Sequence, residues 1–233
     1  MNKLLTRGGI EFIAVFLGIA LSFNVEEWRE DAQIRNRLRS DYVNIKKDLE
    51  KDLPYLERIV NEQQAANQSS LKMLEMLNPE STFNYKEFML LNEKSIGNNT
   101  FFGTQSSYDA SVSSGRLTYF GNDELSNEIG KVFSHHYYRI HYNGELLDNT
   151  YFRELPILVR GDLSKKLKIQ DENIDIIKSH RYITELQLKE EIQRIYVLRC
   201  QAGIEQIKKV IHFLLKSQTS FITALFITIE TYQ

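Results

Sequence analysis

Glu11 is the residue in this chain best placed to do chemistry, because of its surroundings. It lies inside the apolar stretch GGIEFIAVFLGIALSFNVEEW, Gly8 to Trp28. A carboxylate within an apolar helix is costly and normally faces protein or water. There it can hold a proton, meet an ion or bond to a partner helix. It can also snorkel to the rim of the stretch. Ala14, Gly18 and Ser22 follow it at four-residue spacing. Small residues at that spacing let two helix backbones approach closely. At about 100° per residue, Glu11, Ala14, Gly18 and Ser22 fall within roughly 80° of one another. The expected chemistry is therefore helix association, with Glu11 as a carboxylate at the seam.

The other candidates are weaker. His135, His136 and His141 lie among several tyrosines and a phenylalanine. A helical metal site needs ligands three or four residues apart, and no two of these histidines have that spacing. His136 occupies an apolar position, which predicts a packed histidine and no metal. Asp171-Glu172-Asn173-Ile174-Asp175 begins like a calcium loop. The rule then fails, because Ile176 stands where glycine is needed and Tyr182 where glutamate is needed. No serine sits in a nucleophile elbow, and no phosphate loop or dinucleotide fingerprint is present. Cys200 reads as a packed residue of a long helix. No catalytic residue and no cofactor is expected, and the chain reads as a non-enzyme.

The elements that would position Glu11 follow from the composition. The chain has 233 residues, a net charge of -2, one cysteine and three prolines. The balanced charge gives no basic face for nucleic acid, and a single cysteine allows no intrachain disulfide. Few prolines and glycines favour long helices. Gly8 to Trp28 would be about 31 Å long as a helix, close to a ~30 Å hydrocarbon core. Residues 1–28 are thus read as an N-terminal segment and transmembrane helix, with Trp28 as its interface anchor. Residues 29–233 are read as a soluble helical body. Lys3, Arg7 and the run Ala20-Leu21-Ser22 also resemble a cleavable signal. Glu11 interrupts that apolar run, and the helical pattern continues beyond Ser22, so a retained span is expected.

In the body, Ile34, Leu38, Tyr42, Ile45, Leu49, Leu53, Leu56 and Val60 follow spacings of four, four and three. This eleven-residue repeat predicts straight or slightly right-handed packing. Pro54 should kink or break the helix. The pattern resumes at Leu71, Leu74 and Leu77, and Asn78-Pro79 ends it. Lys86 to Leu91 reads as a short helix and Gly97-Asn98-Asn99-Thr100 as a turn. A short helix from Thr104 or Ser106 to Ser114 should close on Gly115. Asn122 is a predicted N-cap for a second long helix carrying Leu125, Ile129, Val132, His136, Ile140, Asn143, Leu147 and Tyr151. Pro156 should end it, and Gly161-Asp162 marks a break. A short helix from about Asp171 to Ser179 precedes a last long helix, from about Tyr182 to Ile229. Its clearest heptad is Ile204, Ile207, Ile211, Leu214, Gln218, Phe221 and Leu225. Phe221 to Ile229 is too short to span a membrane and reads as core or self-association surface. The expected fold is all-α: a transmembrane helix continuing into a long helix, packed with two others in an elongated bundle.

Two stretches resemble an uncharacterised Bacteroidota membrane-protein family, a domain of unknown function. In the first, Glu11, Gly18, Ile19, Ala20, Leu21, Asn24 and Trp28 fit its N-terminal span. In the second, Tyr108, Ser113, Ser114, Gly115, Leu117, Asn122 and Leu125 fit its Y-x-x-L-x-S-S-G-x-L-x-x-I-x-N-x-x-L segment. Ser111 stands where that family often has an apolar residue. The resemblance implies a single-span anchor, a helical body and no activity. The basic residues Arg29, Arg35, Arg37 and Arg39 outnumber Lys3 and Arg7 and would hold the body inside. The family's usual basic N-terminus implies the opposite, and a periplasmic body on an inner membrane is the expectation. The expected function is a non-enzymatic membrane-anchored sensor, scaffold or assembly subunit. Its partners would be the lipid bilayer and either a second copy or another membrane protein. One alternative is a subunit of an ion-conducting or motor-like complex using Glu11. Another is a hydrolase built on the aromatic-rich helix.

Overall fold

The seam of the fold is written in two heptads. Leu38, Tyr42, Ile45, Leu49, Asp52, Leu56, Ile59, Gln63, Ala66, Ser70 and Met73 alternate spacings of four and three, and all are buried. They line one face of α1, Asn2–Met76. Tyr182, Leu186, Lys189, Gln193, Tyr196, Cys200, Gly203, Ile207, Val210 and Leu214 do the same on the last long helix, His180–Thr231. Such spacing keeps an apolar stripe facing a neighbour at a shallow crossing angle. Ser70 donates to Gln193 at 2.8 Å, Asn67 to the Glu190 carbonyl at 2.9 Å, and Lys208 meets Glu57 at 2.8 Å. Numbers fall along α1 as they rise along its partner, so the two helices run antiparallel. This computed structural model describes residues 2–97, 100–153 and 170–231, with side chains over 12–13, 15–97, 100–149 and 174–217.

Between these two helices lie α2, Tyr85–Lys94, and α3, Ser106–Ser113. A π-helical turn, Arg116–Phe120, leads to α4, Asp123–Gly130. A second π-helical stretch, Lys131–Tyr137, joins α4 without a break to α5, Tyr138–Arg153. The short α6, Gln170–Ile177, precedes the last helix, α7. The α4–α5 rod runs parallel to α1, since Asn122 meets Tyr42 and Tyr137 meets Asp52. It packs on α7, where Gly203 lies against Ile140. The main core joins all three rods, from Leu38 to Val60 on α1, from Leu125 to Leu147 on the middle rod, and from Ile192 to Leu214 on α7. Each fully buried Leu or Ile contributes ~1.5–3 kcal/mol. A smaller cluster of Met73, Phe88, Ile177, Tyr182 and Leu186 closes the far end under α2 and α6.

The all-α expectation holds, and among the described residues there is no strand. Several details differ. α1 continues through Pro54, which costs one backbone hydrogen bond but leaves buried Leu49 and Leu56 on either side to hold the helix. The repeat is seven residues, not eleven, because polar Asp52, Gln63 and Ser70 occupy seam positions. On α7 the seam passes through Gly203 and Val210, with Ile204 and Ile211 only partly buried beside it. The middle rod switches to π-helix at Lys131, and the wider turn carries Phe133 and Tyr137 inward with Val132 and Ile140.

The N-terminal stretch is helical and continuous with the body, as expected. Among the described residues, however, no helix is long and apolar enough to cross a membrane. The fully apolar centre runs only from Phe12 to Leu21, and Asn24, Glu26, Glu27 and Arg29 follow it. Pro156, Gly161-Asp162, Asn98 and Asn99 lie outside the described residues, as do the side chains of Tyr151, Gln218, Phe221 and Leu225.

Candidate functional site

α1 changes character along its length. From Phe12 to Trp28 its large apolar side chains are exposed, with Phe12 72% and Trp28 71% accessible. Phe12, Ile13, Val15, Phe16, Leu17 and Ile19 together cover more than half of the helix circumference, and the remaining arc is the stripe of Glu11, Ala14, Gly18 and Ser22. Gly18 and Ser22 share an exposed face, and a Cβ added at Gly18 would meet nothing within 4 Å. The side chains of Glu11 and Ala14 lie outside the described set. Polar groups appear at the C-terminal end of the section: Asn24 donates to the Ala20 carbonyl at 2.8 Å, and Arg29 pairs with Glu26 at 2.6 Å.

Beyond Trp28, where α7 and the start of α4 come alongside α1, an open groove of about 610 Å³ is formed. That is the size of a small-molecule site. α1 supplies Arg35, Leu38, Arg39 and Tyr42, and α7 supplies Phe213, Lys216 and Ser217. The third wall is Phe120 to Asn122 with Glu124 and Leu125. Three cationic side chains thus share the groove with one carboxylate, over an apolar floor.

The third wall is built by the segment the sequence singled out around Ser113 and Gly115. Gly115 takes φ +73°, a left-handed value that closes α3 and is strained for other residues. Arg116 then turns back onto Asp41, with Nε at 2.6 Å and a second nitrogen at 3.1 Å from its oxygens. This hydrogen bond raises the Arg116 pKa above its ordinary value. Ser111 also donates to Asp41, at 2.8 Å, which explains a serine in a buried position. Ser114 donates to the Ser111 carbonyl at 3.0 Å. At Gly121 a Cβ would collide with the Leu117 carbonyl and the Ser126 hydroxyl, so the chain needs glycine to turn there. The Asn122 N–H donates to the Tyr42 hydroxyl, and its side chain caps α4 at the Leu125 N–H, 3.0 Å away.

Deeper polar groups are spent on holding the bundle together. Asp52 accepts from the Thr104 N–H at 2.7 Å, the Thr104 hydroxyl at 2.9 Å and the Tyr137 hydroxyl at 2.8 Å. Burial, then the Asp52 charge, raises the Tyr137 pKa. Glu128 accepts from Gln206 and pairs with Lys131 and Lys209. Its bonds to Gln206, Lys131 and Lys209 hold its carboxyl at about 2. At the far end, Lys189 donates to the Ser95 hydroxyl at 2.8 Å, and Gln193 to the Ser95 carbonyl at 3.0 Å. Burial pushes the Lys189 amine down to about 7. Ser95 and Lys189 have the composition of a hydrolytic dyad, but they are 0% and 2% accessible.

The other sequence candidates do not gather into a site. His135 and His136 meet edge to face, 5.1 Å apart, and burial lowers the His136 pKa. His141 instead meets the Phe102 ring at a tilt, centroids 4.9 Å apart, and approaches Glu145 at 3.4 Å. Among the described residues, no group of three His, Cys, Asp or Glu is placed to hold a metal ion. Cys200 is buried, which pushes its thiol up to about 12. The sequence marks Arg35 and Arg39 only as basic residues following the apolar stretch, and it does not mark Lys216. The one signal for the two arginines is the basic cluster just beyond Trp28.

No curated protein and no solved structure matches the chain significantly. A family model does match, over residues 11–188, which takes in the exposed end of α1, the Asp41–Arg116 wall and the Asp52 hub. The chain belongs to that family, a family of unknown function (DUF6090).

Proposed function

We propose that this protein is a non-enzymatic, membrane-anchored helical scaffold, with the apolar section of α1 embedded in a lipid bilayer and the three-rod bundle standing off it. The observation that carries this reading is the run of exposed large apolar side chains on α1, Phe12, Ile13, Val15, Phe16, Leu17, Ile19, Leu21, Phe23 and Val25, with Trp28 beyond it. Soluble monomers rarely expose a contiguous apolar patch above a few hundred Å². Each Phe, Ile or Leu taken out of water there contributes ~1.5–3 kcal/mol. Trp28, followed by Arg29 and then Arg35, suits the headgroup boundary. The non-enzymatic part rests on where the polar groups go. Asp41, Asp52 and Glu128 are occupied in cross-helix hydrogen bonds, and Ser95 with Lys189 is sealed from solvent.

Flotation of the full chain with phosphatidylcholine vesicles tests the reading. Wild type should rise with the vesicles and resist alkaline extraction, and Phe16→Asp with Ile19→Asp should stay at the bottom. Wild type that stays soluble and monomeric beside vesicles would sink the anchor.

A further inference from the structure

We propose that the apolar section of α1 is matched to a thin bilayer, one with a hydrocarbon core of about 21 Å, and that Glu11 sets its N-terminal limit. This rests on the anchored reading above and names the kind of bilayer. Three observations converge on it. The first is length. From Phe12 to Val25 the helix carries no charged residue, while Glu11 stands before that section and Glu26 after it. At about 1.5 Å per residue the section is about 21 Å long, against ~30 Å for an ordinary hydrocarbon core. Asn24, near its end, donates to the Ala20 carbonyl at 2.8 Å, which meets part of its hydrogen-bonding need inside the helix.

The second is what stands at the two ends. Glu26 and Arg29 pair at 2.6 Å with more than half of each side chain exposed, and Glu27 and Glu30 lie beside them. Drawing so many charges into hydrocarbon is costly. At the other end, a carboxylate on a short stem reaches less far toward water than lysine or arginine does. Between Glu11 and Arg7 there are only Gly8, Gly9 and Ile10. Burying Glu11 would therefore add a single large apolar side chain to the section.

The third is continuity. α1 is one helix from Asn2 to Met76, and from Leu38 onward it is buried in the bundle along one face. A helix longer than the hydrocarbon core fits by tilting, whereas tilting a short one only lowers its reach. The lipid must supply the match, by thinning locally or by having short acyl chains.

Flotation of the full chain with phosphatidylcholine vesicles of graded chain length tests this. Dilauroyl lipid, with two-thirds the chain length of dioleoyl lipid, brings the core to about 20 Å, and dierucoyl lipid takes it above ~30 Å. Wild type should float at about tenfold less dilauroyl than dioleoyl lipid, and least well with dierucoyl lipid. Glu11→Leu extends the uncharged section back to Gly8, to about 27 Å, and should move the optimum to dioleoyl lipid. Wild type that binds all three lipids alike, or better as the chains lengthen, overturns the proposal. So does Glu11→Leu with the wild-type order of preference. Flotation with none of the vesicles sinks the anchored reading itself, and this proposal with it.

Discussion

The two ends of α1 obey opposite rules. Between Phe12 and Trp28, phenylalanine, isoleucine and leucine are exposed, each more than half accessible. Between Leu38 and Met73, the same helix buries an aspartate, a glutamine and a serine in its seam. Hydrophobicity does not decide which residues are inside; the partner available at each level of the helix does. In the body, Asp52 has Thr104 and Tyr137 to bond, and Gln63 donates to the Gly97 carbonyl at 2.6 Å. An unpaired polar group at either place would cost ~1–3 kcal/mol. Phe16 and Ile19 are more than half exposed, and among the described residues no side chain offers them such a partner.

One substitution placed at both ends should separate the two rules most sharply. Leu49→Asp would bury an unpaired carboxylate in the fully closed seam and should unfold the bundle, a loss of more than about 4 kcal/mol. Phe16→Asp with Ile19→Asp should leave the melting temperature of the body unchanged. Circular dichroism melts of both variants in detergent read this directly. Equal melting temperatures would erase the distinction.

A smaller effect comes from the polar end of the seam. Lys189 has a folded-state pKa of about 7 against its ordinary 10.5. Between those values the unfolded chain binds the proton and the folded chain does not. Stability should therefore rise with pH from about 7 upward and be flat below. Above about 10 the raised values of Tyr137, Tyr182 and Tyr196 act in the opposite direction. Lys189→Met should abolish the rise and be the more stable protein at neutral pH. Urea titrations at pH 6.5 and 9, conditions of roughly opposite Lys189 charge, measure it, and an unchanged slope in the variant would refute the assignment.

The smallest change in fold stability is expected at Gly18. Among the described residues, nothing beyond its own turns of helix lies within 4 Å of an added Cβ there, so Gly18→Ile should not alter the melting of the body. If two copies meet along Ala14, Gly18 and Ser22, the same change should lower crosslinking in membranes severalfold. Unchanged crosslinking would remove the stripe as a contact.

The helical rods were legible because apolar residues recur at helical spacing, and Gly115 and Asn122 marked real helix ends. Their register was not. Reading only apolar residues skips Asp52, Gln63 and Ser70 and jumps to Leu53 and Leu71, the second of which is 41% accessible. The same habit chooses Ile204 and Ile211 over Gly203 and Val210. Polar seam residues are recognisable only once their partners are known, and those come from distant segments: Thr104, Gly97, and Gln193 for Ser70. The groove was hidden for a related reason. Its walls come from three rods, and no single stretch contains enough of them to suggest a cavity.

Trp28 has a use that follows from its isolation. It is the only tryptophan in the chain, and it lies at the boundary between the two regimes of α1 with its ring 71% accessible. The protein's whole indole emission therefore comes from one point. Its wavelength reads the polarity at the mouth of the anchor, unmixed with any signal from the core. Quenchers carried at graded depths on acyl chains would give that point a coordinate along the bilayer normal without a label. The sole thiol, Cys200, is buried in the seam, so a cysteine added elsewhere on the surface could carry an acceptor dye. Energy transfer from Trp28 would then measure how the bundle stands over the lipid.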